Sequence, residues 1–120
     1  MRHQKRKFLK FKDKDQAHRD SMLRNLVTSI FTHKSLITTE KRARAIIPMV
    51  DKLIHAAQGD NKMNAIRTVM QVVYTQESSE ELFGTVAPAM IGRSSGFTRI
   101  TPIKYRDGDR AKLVKIEFVS

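Results

Sequence analysis

Apolar residues between Met22 and Phe31 fall at Met22, Leu23, Leu26, Val27, Ile30 and Phe31, a spacing that predicts a helix with one buried face. The opposite arc carries His18, Ser21, Arg24, Asn25, Thr28 and Thr32, so this helix offers hydrogen-bond donors to whatever lies outside. Lys34-Ser35-Leu36-Ile37-Thr38-Thr39 reads as a brief strand. A second stripe at Ala43, Ile46, Ile47, Val50, Leu53, Ile54 and Ala57 predicts another amphipathic helix, with Lys41, Arg44, Lys52 and His55 turned the other way. Pro48 falls inside it and removes the bond to the Arg44 carbonyl, which predicts a kink or a restart. Gly59-Asp60-Asn61 ends this helix and caps the next, whose stripe is Met63, Ile66, Val69, Met70 and Val73.

Ser78-Ser79-Glu80-Glu81 has the form of a capping box, with Ser78 as N-cap and Glu81 reaching back, ahead of Leu82, Phe83, Val86, Ala87 and Met90. Helix-start chemistry accounts for these carboxylates without a catalytic pair. Beyond Gly92-Arg93-Ser94-Ser95-Gly96, the segments Phe97 to Tyr105 and Ala111 to Val119 read as a hairpin around Asp107-Gly108-Asp109, with a turn of two or three residues. Val114, Ile116 and Phe118 alternate with Lys115 and Glu117, whereas the first strand alternates less cleanly. An isolated hairpin is marginal, so Leu36 to Thr38 is expected to join it as a third strand. The fold class is α+β in two layers, about four helices on a small sheet.

The first fourteen residues break the pattern. They hold seven Lys or Arg against one Asp and no periodic apolar stripe, so residues 1–14 are expected to form a basic extended arm ahead of a single globular domain at 15–120. Across 120 residues the net charge is +11, more than solubility needs and suited to neutralising phosphates. The chain has no cysteine, which removes disulfides, thiolate nucleophiles and Cys-type zinc sites and fits a reducing compartment. No apolar stretch approaches the roughly 18 residues of a membrane span, and the N-terminus lacks a secretory h-region. A mitochondrial presequence would be richer in Arg and Ser than this Lys-dominated arm.

Candidate chemistry is therefore sought in RNA contact. In the arm, Arg2, Lys5, Arg6, Lys7, Lys10, Lys12 and Lys14 are placed to neutralise phosphates, and Phe8 and Phe11 to stack on splayed bases. His3 and His18 suit hydrogen bonding or stacking. Arg19, Arg24 and Asn25 extend the set, since Arg forks onto a phosphate and Asn reads a base edge or a 2′-hydroxyl. Arg19 lies nearer the apolar side, where Asp15 or Asp20 is an alternative partner. Arg93, Ser94, Ser95 and Arg99 form a second patch, with glycines that bring backbone N–H groups close to phosphates. It is not a nucleotide-binding P-loop, because the Gly-x4-Gly-Lys-Ser/Thr pattern is absent. His3, His18, His33 and His55 are too scattered for a metal site, and no nucleophile and base constellation stands out. No cofactor is expected. Read from residues alone, the rival is a free-standing DNA-binding regulator or nucleoid protein, in which the first two helices form a helix-turn-helix.

Met1-Arg2-His3, His18-Arg19, Met22-Leu23-Arg24-Asn25-Leu26, Ile37-Thr38-Thr39 with Lys41 and Arg44, Gly96-Phe97-Thr98-Arg99-Ile100, Arg106-Asp107-Gly108-Asp109 and Ile116-Glu117-Phe118-Val119 closely resemble the bacterial large-subunit ribosomal protein family numbered seventeen. The resemblance spans essentially the whole chain. It implies a structural protein of the cytoplasmic large ribosomal subunit, bound to 23S-type rRNA and neighbouring ribosomal proteins near the peptide exit tunnel, with helices against a three-stranded mixed sheet. It implies no catalysis, no membrane and no small-molecule substrate. Lys34, Thr39, Lys41 and Arg44 join the candidate RNA-binding residues with it.

Overall fold

Helix α1 runs from Gln16 to His33 and buries Val27, Ile30 and Phe31, the face its periodicity predicts. The computed structural model describes residues 16–119, and the expected arm lies outside the described residues. After α1, Lys34 adopts φ +69°, a left-handed conformation that stops the helix, while its N–H still reaches the Ile30 carbonyl at 2.8 Å. The chain then enters β1 (Ser35–Thr39) and passes directly into α2 (Glu40–Gln58). Pro48 does not mark a restart, because α2 continues through it. Pro48 is on the exposed side, while Ala43, Ile46, Val50, Leu53, Ile54 and Ala57 hold the other side in the core, so packing holds the helix together across the lost bond.

Asn61 caps α3 (Lys62–Met70) by accepting the Asn64 N–H at 3.1 Å. The predicted stripe on α3 is only partly buried. Ala65 and Val69 face the core, whereas Met63, Ile66 and Met70 are exposed; the helix seats its small residue inward, which turns the larger ones outward.

The capping box also needs correction. The N-cap of α4 (Gln76–Glu81) is Thr75, whose Oγ1 accepts the Ser78 N–H at 3.2 Å. Ser78 lies inside the helix and is fully buried, donating its hydroxyl to the Thr28 carbonyl at 3.0 Å and meeting the hydroxyls of Thr32 and Thr75. A buried hydroxyl needs such partners, and α1 supplies them. Thr28 and Thr32 are accordingly covered by α4 rather than turned to solvent. Glu81 pairs with the Lys34 ammonium, which holds its carboxyl below the usual range. Past Glu81 the backbone widens into a π turn over Leu82–Val86 and finishes in one α turn, Ala87–Ala89, completing the fourth helical stretch. Leu82, Val86, Ala87 and Met90 are buried along it.

Strands β2 (Thr98–Tyr105) and β3 (Lys112–Phe118) complete a sheet of order β1-β3-β2. Both pairings are antiparallel, with Leu36 opposite Ile116 on one side and Ile100 opposite Ile116 on the other. The expected mixed sheet is thus antiparallel throughout. The strand with the cleanest alternation takes the centre, because both neighbours then bury their apolar residues on the face set by Val114 and Ile116. Phe31 of α1 stacks on Phe118 with ring centroids 5.5 Å apart, tying the helical layer to the sheet. The hairpin turn is longer than either reading of the sequence. Arg106 N–H donates to the Ala111 carbonyl at 2.7 Å and Arg110 N–H to the Arg106 carbonyl at 2.9 Å, which leaves residues 107–110 as the tip.

Candidate nucleic-acid interface

An open groove of about 440 Å³ runs along α1, lined by its His18, Ser21, Met22, Asn25, Leu26 and Ser29 together with Arg42 of α2. His18, Ser21, Asn25 and Ser29 recur every three or four residues, so α1 stacks them in one line. A guanidinium in one groove with an amide and hydroxyls suits a phosphate beside a 2′-hydroxyl. His18 and Asn25 come together here as the sequence suggests. Arg42 was missed; it sits beside Ala43 at the edge of the apolar stripe, and its clue was the run Lys41-Arg42-Ala43-Arg44. Lys41 is exposed in the first turn of α2.

Other candidates are committed inside the fold. Arg24 donates its Nε–H to the Val72 carbonyl at 2.9 Å and lies 4.2 Å from the Tyr74 ring centroid. Its guanidinium therefore ties α1 to the connection between α3 and α4. Arg24→Ala is expected to cost about 2 kcal/mol, the sum expected of a charged hydrogen bond and a partly exposed cation–π contact. Urea denaturation measures this directly, and unchanged stability would return Arg24 to the RNA-contact set. Lys34 is engaged by Glu81. Arg44 pairs with Glu40 one turn earlier, at 2.9 Å, and Lys112 reaches the same carboxylate at 3.5 Å, which lowers the pKa of Glu40, chiefly through the Arg44 bond. Arg19 donates to Gln16 Oε1 at 2.7 Å, and Asp20 accepts from Gln16 Nε2; Asp15, the other expected partner, lies outside the described residues. Thr39 is the N-cap residue of α2 but makes no side-chain capping bond.

The loop after Met90 keeps part of its expected character. Gly92 and Gly96 adopt φ of +97° and +68°, conformations that glycine reaches without strain, and Arg93, Ser94 and Ser95 are exposed between them. However, the Arg93 N–H donates to the Met90 carbonyl at 3.1 Å, so that one amide is already used. Phe97 anchors the far end, fully buried with His55 edge-on to its ring at 5.1 Å. Arg99 lies on the outer face of the sheet opposite Glu117, at 3.9 Å. Such an exposed pair is worth at most about 1 kcal/mol. Replacing Arg93 and Arg99 with Ala is expected to shift the melting temperature by only a few degrees. If each meets one phosphate, the slope of log affinity against log salt falls by about 1.5. A melting temperature lowered by more than about ten degrees would make the pair structural instead.

Among the described residues no group of His, Cys, Asp or Glu is placed to hold a metal ion, and no helix is long and apolar enough to cross a membrane. The candidates Arg2, His3, Lys5, Arg6, Lys7, Lys10, Lys12 and Lys14 lie outside the described residues.

Comparison with known proteins points in one direction. The family model described as Ribosomal protein L17 matches residues 22–119. The chain is 40% identical over 104 residues to the large ribosomal subunit protein bL17 of Desulforamulus reducens, covering 86% of this chain and 91% of that protein. It is 38% identical over 103 residues to bL17 of Desulforudis audaxviator, covering 85% and 90%.

Proposed function

Because the chain belongs to the ribosomal protein L17 family, we propose that it docks on 23S-type rRNA of the large ribosomal subunit, beside neighbouring ribosomal proteins near the peptide exit tunnel, and helps hold that RNA in its assembled form. It is a structural ribosomal protein and not an enzyme. The observation that carries the reading is the family match across nearly all of the described domain, on a chain of net charge +11. Physically, Lys and Arg displace counterions from phosphates, while the α1 groove and the 92–96 loop fix register through hydrogen bonds to sugar and backbone. Residues 1–14 act as the arm and 15–120 as the docking domain.

The rival DNA-binding reading loses its footing in the topology. A helix-turn-helix joins its helices by a short turn, but here β1 separates α1 from α2 and pairs with β3. Titrating the purified protein with deproteinised large-subunit rRNA tests the proposal. Binding should weaken steeply and linearly in log–log form as salt rises. Equal affinity for large-subunit rRNA and an arbitrary DNA duplex would contradict it.

A further inference from the structure

We propose that the tip of the β2–β3 hairpin is a nucleobase-stacking site, at which Tyr105 stacks on an unpaired rRNA base and Arg110 meets the adjoining phosphate; this rests on the rRNA reading above. Up to Pro102 the register of β2 is regular, with Ile100 opposite Ile116 and Pro102 opposite Val114, so even-numbered residues share the helix-side face. A bulge at Ile103 then moves the pairing to Lys104 opposite Leu113 and Tyr105 opposite Lys112. Because the side-chain period is two, the extra residue re-aims Tyr105 onto the face of Val114 and Ile116. Its counterpart Lys112 is still near α2, through Glu40, but Tyr105 is 66% exposed. Pairing with β1 has also ended, at Thr39 opposite Leu113. The bulge thus delivers an aromatic ring to a face where the core has stopped.

The surroundings of the ring are ordered rather than slack. Tyr105, Arg106, Asp107, Gly108 and Arg110 line an open hollow of about 520 Å³. Arg106 grips Asp109 with two hydrogen bonds, and Asp109 also accepts the Ala111 N–H at 3.1 Å. That geometry drives the Asp109 carboxyl far below its usual range, through the Arg106 bonds first and the Ala111 amide second. The Asp109 charge is therefore neutralised by Arg106, which leaves the exposed Arg110 to a ligand. Arg110 is held at φ +57°, a conformation that side-chain-bearing residues rarely adopt and that marks a position where the loop tolerates strain.

A protein strand is the wrong occupant. β2 is an edge strand carrying Pro102 and a bulge, two features that block strand addition. An exposed ring with the Arg110 guanidinium on its rim, beside the exposed Asp107 and the paired Arg106, matches the way splayed RNA bases are held, by stacking on an aromatic face with a cation on the flanking backbone.

The test compares full-length wild type with Tyr105→Ala, Tyr105→Phe, Arg110→Ala and Arg110→Gly for binding to deproteinised large-subunit rRNA across a salt series. Tyr105→Ala should bind about tenfold more weakly with an unchanged salt slope, because stacking is lost and no charge is removed. Tyr105→Phe should retain wild-type affinity. Arg110→Ala and Arg110→Gly should each lower the slope by about one. Arg110→Gly should melt no lower than wild type, since glycine adopts the positive φ freely, which separates loss of contact from loss of fold. Wild-type affinity in Tyr105→Ala, or equal losses in the Ala and Phe variants, would overturn the stacking site while leaving the rRNA reading in place. Failure of the wild type to bind would overturn both.

Discussion

Deleting residues 1–14 is expected to leave the domain folded and to flatten the salt dependence of rRNA binding by about four to five units of log–log slope. That figure follows if about six of the arm's cations meet phosphates, each contact contributing about 0.7 to 0.9. The fold should survive because residues 1–14 carry no periodic apolar stripe, whereas Phe31, Phe97, Ile46, Leu53, Leu82 and Ile116 are fully buried in one cluster of the described domain. Circular dichroism of the truncated protein and a salt titration beside the full chain measure both halves of the expectation. Equal slopes would make the arm a solvated tail, and a collapsed spectrum would place Phe8, Leu9 and Phe11 in the core.

Phe31→Ala is expected to destabilise the domain by about 3–5 kcal/mol, the range for truncating a buried aromatic. Phe31 belongs to α1, is fully buried, and stacks on Phe118 at the end of the central strand, so its loss opens a cavity between the two layers. For a domain near 100 residues this lowers the melting temperature by well over ten degrees. A change below about 1 kcal/mol, measured by urea unfolding, would mean that the layers close over the gap and that the stacking contributes little.

Periodicity made some of this molecule legible and left other parts hidden. The faces of α1 and α2 emerge as expected because each buries a continuous stripe, Val27 to Phe31 and Ala43 to Ala57. Leu36 to Thr38 joins the hairpin as expected, since a two-stranded ribbon needs a third strand. Where a second element packs across a polar arc, pattern alone fails. Thr28 and Arg24 look solvent-facing in sequence, yet α4 covers the first and the Val72–Tyr74 connection engages the second. The N-cap moved from Ser78 to Thr75 because both are good caps, and the burial of Ser78 against α1 decided between them. The poor alternation of β2 was visible but not its cause, a bulge that becomes apparent only through pairing with β3.

The candidate interface divides along the same line. Arg93 and Lys41 are exposed, as the sequence pattern has them. Residues with a nearby carboxylate or carbonyl, such as Lys34, Arg44 and Arg24, are engaged by it. The groove at Arg42 and the hairpin tip at Tyr105 arise from tertiary placement, so no linear motif could have shown them.

Association with the large ribosomal subunit through its RNA is tested by sucrose-gradient fractionation of a lysate containing the tagged full chain. The protein should sediment with the large subunit and stay there after a moderate-salt wash, leaving only as salt is raised far enough for counterions to displace its phosphate contacts. Recovery at the top of the gradient, or with the nucleoid while large subunits sediment without it, would rule out that association.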